Sequence, residues 1–110
     1  MNNLISFGEK RNYEDFKKQL SPTILPLFDS LRNFCFLLGK NVVEDIRMHR
    51  IVFCKSIIFR WFVDMEPQGE SIKIKIQKDR KKPQETLLIK TNKDIEHAKE
   101  LIQNAYNTIH

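Results

Sequence analysis

Hydrophobic positions recur along this chain with two periods, and the switch between them divides it. From Asn12 to Leu20, residues Tyr13, Phe16, Lys17 and Leu20 fall at helical spacing, which predicts a short amphipathic helix. Ser21-Pro22 signals the start of another helix. Serine offers a capping oxygen, and proline at the first helical position gives up an N–H that would have had no partner. The helix predicted to follow carries Leu27, Leu31, Phe34, Cys35 and Leu38 on one stripe and ends at Gly39.

From Val42 onward the period shortens. Val42 to Ile46 reads as irregular or extended, and Arg50 to Cys54 is rich in strand formers. Ile57 to Met65 is predicted as a strand whose odd positions, Ile57, Phe59, Trp61, Val63 and Met65, face the core. Its even positions, Ile58, Arg60, Phe62 and Asp64, then face outward. Pro67 and Gly69 mark a turn over Glu66 to Glu70. Ser71 to Gln77 alternates strictly, with Ile72, Ile74 and Ile76 inward and Trp61 packed beside them. Lys78 to Pro83 is a charged loop, and Glu85 to Lys90 is a further strand with Leu87 and Ile89 inward. A last helix is capped by Thr91 or Asn92, with Asp94 in its first turn and Ile95, Ala98, Ile102, Ala105 and Ile109 on its buried stripe. Short turns cannot join parallel strands. The predicted fold is therefore α+β: two N-terminal helices, a three- to four-stranded antiparallel meander, and a C-terminal helix packed on the sheet. Residues 1–10 show neither period and read as a flexible arm on a single domain.

Composition narrows the class further. A chain of 110 residues that is 41% hydrophobic with 3 Gly and 4 Pro is neither disordered nor low-complexity. No apolar run is long enough to span a bilayer, and the first residues lack the basic start and apolar stretch of a secretion signal. A cytoplasmic protein without membrane contact is the expectation. Cys35 and Cys54 lie inside apolar runs and read as reduced core thiols. His49, His97 and His110 are scattered, with no C-x-x-C or H-E-x-x-H, so no metal site is expected. Cys54 and His49, five apart on a strand, would point to opposite faces and cannot form a nucleophile pair. Three glycines build no phosphate loop. No cofactor and no catalytic residue are predicted, which favours a non-enzymatic role.

Charge supplies the main functional signal. Between Ser71 and Lys82 lie Lys73, Lys75, Lys78, Arg80, Lys81 and Lys82 against the single acid Asp79. That excess equals the whole chain's net charge of +5, so the remainder is neutral. With Arg60 and the ring of Phe62 beside it, this surface suits nucleic acid: cations hold phosphates while a ring stacks on a base. An acidic protein partner would meet the same cations, and lysines on a sheet edge also block strand pairing. Two other readings stand beside this one. Asp64 and Glu66, on one strand face with Lys73 and Lys75 alongside, have the residue types of a metal-dependent nuclease. Ile58 and Phe62, if outward, offer an apolar face for self-association into a homo-oligomer.

Three stretches also resemble a known domain. Leu38-Gly39-Lys40-Asn41-Val42 is similar to a helix-ending "LG-x-x-V" turn. Arg50 to Lys55, Phe62 to Pro67 and Ile72 to Ile76 are similar to a "Y-I-A-F-K … F-x-x-I-x-P … L-K-I-Y-L" sheet. Asp94 to Tyr106 is similar to a "D-L-D-Y-A-x-x-L-I-x-x-A-Y" closing helix. Over residues 21–109 the chain thus resembles the prokaryotic family called domain of unknown function 5655. That domain often ends proteins labelled predicted transport protein, or accompanies restriction-nuclease-like modules. The resemblance implies an accessory domain and carries over no catalytic residue. The Gly-rich segment common in the family is replaced here by the Lys78 to Pro83 loop.

Overall fold

The computed structural model describes residues 11–57, 60–79 and 81–109. The 1–10 arm, Ile58, Phe59 and Arg80 lie outside the described residues. Three α-helices and five strands make up the described fold, which is α+β. Helix α1 (Tyr13–Phe16) runs on into a 3-10 turn (Lys17–Gln19). Helix α2 (Leu25–Leu37) leads to strands β1 (Val43–Ile46), β2 (Ile51–Cys54), β3 (Trp61–Gln68), β4 (Ser71–Ile76) and β5 (Glu85–Ile89). Helix α3 (Asn92–Thr108) closes the chain. The strands form one antiparallel sheet in the order β1-β2-β3-β4-β5, one strand more than the longest meander expected from the sequence. Val43–Ile46 is the added strand. It is short and only half-buried, so its alternation is weak.

The helices cover one face of this sheet. Cross-strand register places Ile46, Ile51, Met65, Ile74 and Leu87 in a single apolar row across all five strands. Phe36 of α2 meets Phe53 of β2 edge-on at 5.5 Å between ring centres. Helix α3 lies against β3, β4, β5 and α2, and buries Ile95, Ala98, Ile102 and Ala105 as its periodicity predicts; Ile109, just past its end, is buried as well. Thr91 caps it: the Asp94 N–H donates to Thr91 Oγ1, while the Lys90 and Thr91 N–H groups donate to Asp94 Oδ2 at 2.8 and 3.1 Å. These bonds, chiefly the one from Lys90, hold the Asp94 carboxyl below the ordinary carboxylate range.

Two proline positions shift the expected boundaries. A helix begun at Pro22 would need Pro26 to donate to the Pro22 carbonyl, and Pro26 has no N–H. Ser21 instead closes a turn, accepting at its carbonyl from Ile24 and Leu25, and α2 starts at Leu25 with Pro26 in its first turn. Pro67 was expected in a turn but lies inside β3, opposite Ile72. The β2 ladder ends at Ile51–Met65, so the missing N–H faces no strand there. The turn shrinks to Gly69-Glu70 between the paired Gln68 and Ser71. Gly69 has φ +60, as a tight hairpin requires at its first central residue.

The largest correction concerns β3. Phe53 pairs with Val63, but Cys54 pairs with Trp61, so β3 carries an extra residue at a bulge. The bulge reverses the alternation. Val63 and Met65 face the helices as expected, but upstream it is Phe62, not Trp61, that turns inward. Phe62 is 0% exposed and meets Tyr106 of α3 edge-on at 5.4 Å. Trp61 is only half-buried and does not join the Ile72, Ile74, Ile76 row, and Ile57, expected inward, is 87% exposed. Gln77, just past the end of β4, clamps the bulge, its N–H donating to the Phe62 carbonyl and its side-chain amide to the Trp61 carbonyl.

The two thiols also part company. Cys35 is fully buried in α2, whereas Cys54, expected in the core, is half-exposed; both are free. Burial pushes the Cys35 thiol far above its ordinary range and raises Cys54 less. Thiol reagents are therefore expected to label Cys54 in the native protein and to reach Cys35 only on unfolding. Mass spectrometry of a timed labelling reaction checks this; equal native rates at both would contradict the packing of α2.

Candidate functional site

No helix among the described residues lies on the second face of the sheet, and the side chains there can be read from the register. Asp45, Val52, Asp64, Lys75 and Thr86 form one row across the five strands, and Glu66, Lys73 and Leu88 form another across three. Opposite charges face each other at Asp64–Lys75 and Glu66–Lys73, as expected from the alternation in the sequence. Leu88 is 49% exposed on this face.

Arginines from the β1–β2 turn absorb most of the acid. Arg50 reaches Asp64 at 3.1 Å and Glu66 at 3.8 Å, and Arg47 reaches Asp45 at 3.0 Å. Asp64 is 8% exposed, so its carboxylate depends on that guanidinium for a partner. Among the described residues, no three His, Cys, Asp or Glu side chains are placed to hold a metal ion.

The predicted basic residues separate into distinct environments. Lys73 and Lys75, expected on a sheet edge, lie instead on β4 between β3 and β5, so they guard no free edge; they are half-buried on the open face, and Lys81 and Lys82 are exposed in the following loop. None of these four, nor the exposed Arg60, forms an ion pair with another described residue. Lys78 is bound to Glu85 at 2.9 Å. Asp79 turns inward on its own loop, accepting from the Lys81 N–H at 3.0 Å. Arg80 lies outside the described residues. Phe62, expected as the stacking ring, is sealed beneath α3 and reaches no ligand on the open face. The same burial removes it from any self-association surface.

A shallow cavity of about 250 Å³ opens on this face between Val52, Trp61, Asp64, Lys75 and Gln84. Trp61 is the aromatic residue that sequence reasoning placed on the wrong side. The signal for the bulge is faint: Trp61 and Phe62 are both large aromatics, and alternation cannot say which of them turns inward.

A larger cavity, of about 760 Å³, lies between α1 and the β1 edge, lined by Tyr13, Arg32, Glu44 and neighbours. Its central charged pair is engaged. Arg32 donates to both Glu44 oxygens, at 2.5 and 3.0 Å, and lies 3.9 Å from the centre of the Tyr13 ring. Tyr13 donates to Asp29 at 2.5 Å. Burial raises the Tyr13 phenol far above its usual range. This network latches α1 to α2 and β1.

No helix among the described residues is long and apolar enough to cross a membrane. The chain matches no family model, no curated protein and no solved structure.

Proposed function

We propose that this chain is a non-enzymatic accessory domain that binds nucleic acid through the open face of its sheet and the loop after β4. The observation that carries the reading is the set of unpaired lysines. Lys73, Lys75, Lys81 and Lys82 hold no ion pair with a described residue, while the acids of the same face are matched by Arg47 and Arg50. Arg60 and Lys78 belong to the proposed surface as flanking cations, and the sequence adds Arg80 to the same loop. Positive charge left without an internal partner attracts polyphosphate, and such contacts carry no base information.

Binding is expected to weaken steeply with salt. If the four lysines each neutralise one phosphate, the slope of log K against log salt is about −3 to −4. Replacing Lys81 and Lys82 together by glutamate is expected to lower affinity by at least about tenfold and leave the thermal midpoint nearly unchanged, because exposed charges contribute little to stability. Fluorescence anisotropy of labelled oligonucleotides measures the first and a melting curve the second. Absence of binding at low salt overturns the reading. Magnesium-dependent cleavage would favour the nuclease reading through Asp64 and Glu66. Equal competition by polyglutamate would assign the surface to an acidic protein.

A further inference from the structure

We infer that the cavity beside Trp61 is a slot for one unstacked base of a single-stranded nucleic acid. The inference rests on the nucleic-acid reading above and narrows it to one form of the polymer. It begins with the bulge in β3. Because Cys54 pairs with Trp61 rather than Phe62, the larger ring is carried to the open face and the smaller is buried under α3. The bulge thus supplies an aromatic wall on a face whose other described side chains are mostly charged or small, with Leu88 exposed toward the β5 edge.

The surroundings of that wall suit a base. Val52, 4% exposed, forms an apolar floor. Gln84, exposed at the rim, carries an amide that both donates and accepts, the pattern needed to meet a base edge of either kind. Asp64 is turned toward Arg50 at 3.1 Å, so its carboxylate is neutralised within the slot. Lys75, which has no ion pair with a described residue, stands at the margin where flanking phosphates would run, beside Arg47, which is held by Asp45. A volume of about 250 Å³ admits one flat heterocycle and not a base pair with its stacked neighbours. In a duplex the base faces are covered by adjacent pairs, so only a single strand can offer one to the ring.

The chain contains one tryptophan, so its emission reports on this slot alone. Intrinsic fluorescence is titrated with a short oligothymidylate and with a duplex of equal length, while anisotropy of the labelled oligonucleotides follows binding in parallel. The single strand is expected to quench Trp61 with the same midpoint as its anisotropy change, and the duplex to leave the emission unaltered. Trp61→Leu is expected to weaken single-strand binding by roughly tenfold or more and to leave duplex binding unchanged, whereas Trp61→Phe keeps most of the affinity. If Trp61→Leu does not fold, the wild-type quench and the Trp61→Phe variant decide. Single-strand binding without any change in emission overturns the slot and leaves the basic-surface reading standing. No anisotropy change with either form overturns both.

Discussion

Replacing Phe62 with alanine is expected to cost about 3–5 kcal/mol, the range for truncating a fully buried phenylalanine. The ring is 0% exposed, packs edge-on against Tyr106, and fills the space between β3 and α3. Its removal leaves a cavity that the clamped bulge cannot collapse into, because Gln77 holds the carbonyls of both Trp61 and Phe62. For a domain of this size the thermal midpoint should fall by more than about 10 °C. At the adjacent position, Trp61→Phe should cost under about 1.5 kcal/mol, since that ring is half-buried and the swap keeps its aromatic character. Denaturant midpoints at constant slope measure both changes. The opposite order, with Trp61 intolerant and Phe62 tolerant, would restore simple alternation and remove the bulge.

Gly39→Ala is expected to destabilise the protein by about 1–3 kcal/mol, and Tyr106→Phe in the same chain should recover most of the loss. Gly39 follows α2 where a helix-ending glycine is expected, yet the glycine with positive φ among the described residues is Gly69. Without a left-handed backbone, alanine at this point would ordinarily be neutral or favourable by a few tenths of a kcal/mol. A Cβ on Gly39, however, would fall on the Tyr106 hydroxyl. The next nearest atom, the ring carbon bearing that hydroxyl, would stand 3.1 Å away, so removing the oxygen relieves most of the overlap. A double-mutant cycle reads the coupling directly. Additive effects of the two changes would show that Gly39 matters for its backbone and not for its proximity to α3.

Patterning disclosed much of this architecture and little of the site. Ile72, Ile74 and Ile76 alternate against Lys73 and Lys75 without interruption, so β4 and its two faces were plain. The α3 stripe was equally plain because it depends on local spacing, and the same spacing narrowed the cap to Thr91 or Asn92, of which the structure uses Thr91 with Asp94. Strand β3 was legible only downstream of its bulge. A single extra residue reverses facing, and nothing local distinguishes Trp61 from Phe62 as the one to bury; Tyr106, on a distant helix, decides. Pro67 misled for a similar reason, since its harmlessness depends on where β2 stops. In the basic cluster, spacing identified the lysines but not their partners. Glu85 removes Lys78 from the unpaired set, and Arg50 draws Asp64 and Glu66 away from Lys73 and Lys75.

Every strand of the sheet hydrogen-bonds to its neighbour in sequence, and this has a kinetic consequence. Each new strand is added by closing a loop that begins where the previous strand ended, and the loss of chain entropy grows only slowly with such short loops. The growing hairpin ladder therefore never waits for a distant segment. The long closure is the docking of α3 on α2, where Tyr106 meets Gly39 across most of the chain. Contacts of that separation form after the local ones in a nucleus built from neighbours. Strengthening or weakening that helix–helix seam should then act mainly on how long the native state lasts, and hardly at all on how quickly it is reached.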